Sequence, residues 1–89
     1  MVKLDPLTTI LYPVITENAI ALIESENKLV FMVNRHSSKI AVKKAVEKLY
    51  EVTVDKVNLL ITTQGEKKAF VKLSPENHAA DTAIKLGIL

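Results

Sequence analysis

The chain has 89 residues, of which 48% are hydrophobic and 25% are charged, as in a globular domain rather than a disordered tail. No cysteine is present, which excludes disulfides and thiolate metal sites, and the longest apolar runs, such as Leu29–Val33, are too short to cross a membrane. The formal net charge is only +2. A chain of 89 residues is expected to form one domain, residues 1–89. No apolar signal core follows Pro6, so we expect a cytoplasmic protein without an export signal.

The first three predicted elements are a strand, a helix and a second strand. Leu7–Tyr12 is rich in β-forming residues and lies between prolines, which predicts an edge strand. Thr16 is a suitable N-cap for a helix with Glu17 in its first turn, and Asn27 is a suitable left-handed stop. Lys28–Asn34 carries apolar side chains on both of its sides, so we expect a central strand that is covered on both faces.

The middle of the chain predicts a basic amphipathic helix followed by a long strand. Ser37 or Ser38 can cap this helix, which extends to about Tyr50 and has one apolar stripe flanked by lysines. The strand then covers Val52–Thr62. The apolar periodicities together predict the following core residues: Ile20, Ile23, Leu29, Phe31, Val33, Val42, Val46, Leu49, Val57, Leu59, Phe70 and Val71.

The last third predicts a hairpin strand and a terminal helix. Gly65 is the expected positive-φ residue of a tight loop, and Lys67–Leu73 is the returning strand. Ser74 opens the last helix and Gly87 ends it. The order β-α-β-α-β-β-α contains a split β-α-β unit, in which the hairpin strand can lie between the two strands that a helix connects. We therefore expect an α+β fold with a small, mostly antiparallel four-stranded sheet and helices on both faces.

The charges are segregated along the chain. Ten of the twelve basic side chains lie between Lys28 and Lys72 together with four acidic ones, a net +6, whereas the flanks hold two basic and six acidic side chains, a net −4. A basic surface of this kind suits a polyanion, above all nucleic acid. The alternative is that the lysines are ordinary solvated surface residues, and composition alone favours neither.

Little in the sequence supports catalysis. His36 and His78 stand alone, with no spacing that indicates a metal pair, and the two glycines form no phosphate-binding loop. Glu24 and Glu26 end a helix, where a solvated acidic face is the better interpretation. We expect no enzymatic activity, no catalytic or metal-binding residues, no cofactor and no small-molecule substrate.

Three motifs resemble one known family. Pro13–Ala19 resembles the Pro-x-Val-[Ser/Thr]-Glu-Lys-Ala opening of the universal large-subunit ribosomal protein 23 family. Lys39–Tyr50 followed by Val52–Asn58 resembles its central helix and strand, and Gly65–Leu73 resembles its closing strand. The motifs occur in order and in register over about Leu11 to Leu73.

The resemblance implies a structural protein that binds large-subunit rRNA at the rim of the polypeptide exit tunnel, next to other large-subunit ribosomal proteins. It also implies transient docking of the signal recognition particle and the protein-conducting channel, without membrane insertion. The family's docking glutamate falls on Glu17, and Asn18 replaces the lysine that follows it. The loop Thr63–Glu66 is short, which resembles archaeal-type members that lack a finger into the tunnel and do not bind the bacterial trigger-factor chaperone.

The basic middle segment and the resemblance together predict an rRNA-facing set that tracks a folded backbone by shape. Its expected members are Arg35, His36, Ser37, Ser38, Lys39, Lys43, Lys44, Asn58, Lys67 and Lys68.

Two rival functions remain open at this point. A free-standing module like the RNA-recognition motif would expose Phe31 and Phe70 on an open sheet face. The ribosomal interpretation predicts that both faces are largely covered, with the last helix on the side opposite the first two. The stretch Lys67–Leu73 resembles part of that motif's strand signature but lacks its glycine and one aromatic residue. A protein–protein adaptor that used only the acidic flank would have no salt-dependent affinity for RNA.

Overall fold

The computed structural model describes residues 9–87 and has the predicted element order. Its elements are β1 Ile10–Pro13, α1 Glu17–Glu26, β2 Lys28–Val33, α2 Lys39–Tyr50, β3 Val54–Ile61, β4 Lys67–Leu73 and α3 Ala79–Leu86. Of the predicted strand Leu7–Tyr12, residues 7 and 8 lie outside the described residues, and the strand begins at Ile10. None of the helices within residues 9–87 is long and apolar enough to cross a membrane.

The four strands form one antiparallel sheet in the order β1-β2-β4-β3. β4 returns from β3 through a tight loop, in which Gly65 has a φ of 82° as predicted, and then pairs with β2. The hairpin strand thus lies between the two strands that α2 connects, which confirms the predicted split β-α-β unit. β1 is an edge strand, also as predicted.

One face of the sheet, called here the first face, is closed by an apolar core. Its side chains are Leu29, Phe31, Val33, Val57, Ala69, Val71 and Leu73, all of them buried. α2 packs its buried Val42, Ala45 and Val46 into the same core cluster. The ring of Phe31 stacks on that of Tyr50 with 5.6 Å between centroids, an arrangement that aromatic pairs favour. Burial also raises the pKa of the Tyr50 hydroxyl above its ordinary value.

The opposite face, called here the second face, is only partly covered. Its side chains are Lys28, Val30, Met32, Lys56, Asn58, Leu60, Lys68, Phe70 and Lys72. Ala19 and Leu22 of α1 lie beside Val30 and Phe70, so helices contact both faces as predicted. Because α2 packs on the first face, the expectation that the first two helices lie on the same side was wrong. However, Phe70 is only half-buried and Leu60 is 53% exposed, so the expectation that both faces are largely covered was wrong. The physical reason is that α1 packs mainly against β2 and leaves Lys56, Asn58 and Leu60 of β3 exposed.

The predicted core needs four corrections. Ile20, Leu49, Leu59 and Phe70 are partly rather than fully buried. Phe70 and its neighbours on the second face lack the cover that α2 gives to the first face. Leu49 and Leu59 still pack against the edge of the core cluster. The other eight predicted residues are buried as expected.

Side-chain caps define where the first two described helices begin. Thr16 accepts a hydrogen bond from the Ala19 amide at 3.2 Å, as predicted. Ser38 accepts one from the Ala41 amide at 3.2 Å, which identifies Ser38 rather than Ser37 as the cap of α2. Each cap satisfies an amide that the first helical turn leaves without a partner.

The third helix starts later than the sequence predicts, because its cap comes from far away in the chain. It begins at Ala79, five residues beyond the predicted opening at Ser74, and His78 at its N-cap makes no side-chain cap hydrogen bond. Instead the Ala79 amide donates to Oδ1 of Asn27 at 2.6 Å. The same asparagine donates from Nδ2 to the carbonyls of Leu73, Ser74 and Asn77 at 3.3, 3.3 and 2.8 Å.

We predict that Asn27→Gly lowers the free energy of unfolding by about 2–4 kcal/mol, because partly buried backbone groups lose their partners. Asn27 has a φ of 56°, so glycine keeps the backbone conformation and removes only the side chain. Glu51→Gly is the matched control, since Glu51 also ends a helix with a positive φ of 54°. Denaturant unfolding followed by circular dichroism should show a change within about 1 kcal/mol for that control. Equal effects of the two substitutions would contradict the role of the Asn27 side chain.

We also predict that the two central phenylalanines differ in their contribution to stability. Phe31 is fully buried, so Phe31→Ala should cost about 3–5 kcal/mol. Phe70→Ala should cost less than half of that, because the Phe70 side chain is only half-buried. Denaturant unfolding of both variants measures the difference, and a loss below about 1 kcal/mol for Phe31→Ala would place that ring at the surface.

Candidate nucleic-acid interface

The start of α2 presents a fixed loop with exposed basic side chains. The Asn34 side chain accepts a hydrogen bond from the His36 amide at 3.0 Å, and its carbonyl accepts one from the Ser37 amide at 2.9 Å. These bonds hold a turn from which Arg35 and His36 extend into solvent. Ser37 is fully buried, so its side chain lies inside the protein and does not reach the surface on which it was predicted.

Three predicted lysines continue this surface along α2. Lys39, Lys43 and Lys44 are exposed, and Lys39 and Lys43 lie one turn apart on the same side of the helix. The first turn of α2 contains no acidic residue, so its positive helix end and its lysines are not neutralised locally. Within residues 9–87, none of the three forms an ion pair.

Lys67 has a different role from the one that its charge predicts. Its ammonium donates to the carbonyls of Ser37 at 2.8 Å and Arg35 at 3.3 Å. The side chain is half-buried and connects β4 to the loop before α2. Lys67 therefore positions Arg35 and His36, and its charge stands just behind them.

Ser38 is exposed and caps α2 on the α2 side, whereas two members of the predicted set, Lys68 and Asn58, lie on the second face. Lys67 and Lys68 are adjacent in β4, and successive side chains of a strand point to opposite faces. Lys68 pairs in register with Leu60 and Met32, and Asn58 pairs with Phe70. The structure thus divides the predicted set into a group on the α2 side and a pair on the second face.

The predicted docking residues lie at the start of α1. Glu17 and Asn18 are exposed, and the cap of this helix is formed by Thr16 rather than by Glu17. The side chain of Glu17 makes no hydrogen bond or ion pair within the described part of the chain, so its carboxylate is open to a partner. Ile15, which is 60% exposed, adds an apolar surface next to it.

The sequence interpretation missed three basic residues that the register brings together. Lys28, Lys72 and Lys56 occupy directly opposed positions on three neighbouring strands. Alternation along β4 alone puts Lys68, Phe70 and Lys72 on one side. Only the pairing of β4 with β2 and β3 adds the other two lysines, and that pairing is not encoded locally.

The family model described as ribosomal protein L23 matches residues 8–80 of this chain. The match covers most of the 89 residues, and the chain therefore belongs to this family. It is a ribosomal protein of the large subunit in the cytoplasm, and it takes part in translation and in rRNA binding. The members of this family are structural rather than enzymatic.

Proposed function

We propose that this member of the ribosomal protein L23 family binds large-subunit rRNA at the polypeptide exit tunnel and helps to form the docking site for factors that receive nascent chains. The observation that carries the rRNA contact is the group of exposed side chains around the start of α2, which form no ion pair within residues 9–87: Arg35, His36, Lys39, Lys43 and Lys44. In this proposal residues 1–89 act as one rRNA-binding domain without enzymatic activity.

The proposed contact reads the shape of the RNA backbone rather than its bases. A helix N-terminus attracts phosphate through its free amides and its dipole, and lysines on the next turn extend that attraction. Arg35 can bind a phosphate through two parallel hydrogen bonds, and Lys67 holds the loop that carries it. Because these contacts replace counterions on RNA, the affinity depends strongly on salt.

Docking of factors is assigned to Glu17 and Asn18. The exposed carboxylate of Glu17 belongs to the acidic flank, so a basic surface on the partner would be attracted to it while rRNA binds elsewhere. The proposed partners are the signal recognition particle and the protein-conducting channel, with neighbouring large-subunit ribosomal proteins beside them. The β3–β4 loop closes between Thr62 and Glu66, where the Thr62 amide donates to the Glu66 carbonyl at 2.7 Å. A loop this short supports an archaeal-type member without a tunnel finger.

A free-standing RNA-binding module is the second candidate function. The half-open second face and the half-buried Phe70 favour it. Phe31 argues against it, because this ring is fully buried and stacks on Tyr50, so it is not available to a base. A single partly exposed ring does not provide the platform for two or three stacked bases that such modules use.

We predict that Lys39→Gln combined with Lys43→Gln weakens rRNA binding and flattens its dependence on salt, by about one unit of slope for each phosphate that the variant no longer neutralises. Filter binding of deproteinised large-subunit rRNA at several salt concentrations measures that slope. The control combines Lys48→Gln with Lys85→Gln, two exposed lysines outside the predicted set, and should leave the slope almost unchanged. If the Lys39 and Lys43 variant keeps the wild-type salt slope, the proposal that rRNA binds at the start of α2 is wrong.

We further predict that Glu17→Lys leaves incorporation into ribosomes intact but weakens binding of the signal recognition particle by roughly tenfold, since reversal turns attraction into repulsion. Glu24→Lys, at an exposed position later in the same helix, is the control for a general change of charge. Glu17→Asp should retain most of the binding, because it keeps the charge. If the particle pellets equally with wild-type and Glu17→Lys ribosomes, Glu17 has no docking role and only stabilises the positive end of its helix.

A further inference from the structure

Three lysines form a row across the second face. Lys28 is the register partner of Lys72 on β4, and Lys72 is in turn the partner of Lys56 on β3. Their chain neighbours Leu29 and Val57 are buried on the first face, so the three lysine side chains point the other way. We call Lys28, Lys72 and Lys56 the lysine row. Because neighbouring strands lie about 4.8 Å apart, the row is about 10 Å wide.

The lysine row is unfavourable for the protein by itself. Like charges directly opposite each other on neighbouring strands destabilise a sheet, and Lys72 faces such a neighbour on each side. The positive charge of Lys28 is partly offset by Glu26, whose carboxylate lies 3.4 Å from the Lys28 ammonium. Lys56 and Lys72 are exposed and form no ion pair within residues 9–87, although Lys72 lines one groove with Glu24 and Glu26. An anionic ligand would remove this repulsion.

The next two rows of the second face indicate which anion fits. Asn58 and Phe70 are register partners directly beside the lysine row, and Lys68 lies one row further on. Asn58 is exposed and Phe70 is half-buried. A nucleotide offers phosphates to the lysines, a base edge to the Asn58 amide and a flat surface to the Phe70 ring. An acidic peptide would match the lysines alone.

The lysine row is separate from the surface around the start of α2. α2 packs on the first face, where Tyr50 stacks on Phe31, whereas the lysine row lies on the opposite side of the sheet. We propose that the lysine row binds the phosphate backbone of a single-stranded segment of large-subunit rRNA with Asn58 and Phe70 beside a base, a contact that rests on the rRNA binding proposed above. The sheet would then lie between two RNA segments.

Binding of deproteinised large-subunit rRNA and of a single-stranded oligouridine by the isolated full chain tests this contact. Lys56→Gln combined with Lys72→Gln should lower the salt slope for rRNA by about 1.4, since each phosphate contact on a single strand contributes about 0.7. It should also remove most of the binding to oligouridine, which the Lys39 and Lys43 variant retains. The Lys48 and Lys85 control should behave as the wild type in both measurements.

Each further outcome decides between the two contacts. A wild-type salt slope and wild-type oligouridine binding for the Lys56 and Lys72 variant would overturn the RNA contact proposed for the lysine row. The proposed function would still stand if the Lys39 and Lys43 variant bound rRNA more weakly than the wild type. If only the Lys39 and Lys43 variant bound both RNAs more weakly, the contact at the lysine row would also be overturned and the proposed function would stand. Binding by the lysine row to vesicles of anionic lipid or to polyglutamate, but not to RNA, would also overturn it.

Two measurements guard against loss of binding through misfolding. The Lys56 and Lys72 variant should have an unchanged or higher melting temperature, since it removes repulsion between opposed lysines. Acetylation of the wild-type protein needs no substitution at all. Bound rRNA should protect Lys56 and Lys72 from acetylation while Lys85 stays reactive, and equal acetylation of Lys56 and Lys72 with and without rRNA would overturn the contact.

Discussion

The side chain of Asn27 joins the end of one helix, the end of a central strand and the start of another helix. Its amide bonds to groups 46 to 52 positions later in the chain, so it fixes where α3 begins and places Ala79 and Ala83 in the core. Asparagine suits this position because it tolerates the left-handed conformation and carries both a donor and an acceptor. An aspartate would lack the donor, and a glycine would lack both groups.

The two faces of the sheet differ in how completely their side chains are buried. On the first face, Ala69 lies opposite Phe31 and leaves room for the ring, which Tyr50 then covers. That side is filled and apolar, and it supplies most of the burial that stabilises so small a domain. On the second face, α1 lies beside Val30 and Phe70, while Lys56, Asn58, Leu60 and Lys72 are exposed within residues 9–87, so its cations and its partly exposed ring remain available to a partner.

The family's rRNA binding and the charge distribution have one physical origin. In the proposed contacts, a bound RNA would offset the mutual repulsion of the lysines, which an ion pair within residues 9–87 relieves only at Lys28. Glu17 extends into solvent at the start of α1 on the side of the second face, where Lys68 lines one groove with Thr16 and Asn18. In the proposed function, a basic docking partner at Glu17 and an RNA at the start of α2 would meet different sides of the same small domain.

The sequence by itself determined the features that depend on interactions within a few residues. The cap at Thr16, the turn at Gly65, the element order and the family motifs could all be recognised from local spacing, because caps, turns and periodicity involve near neighbours. Only the tertiary structure decided that Lys67 holds a loop 30 residues away, that α3 starts late and that Lys72 stands between two other lysines. Those features depend on strand order and register, which distant parts of the chain set together when the core packs.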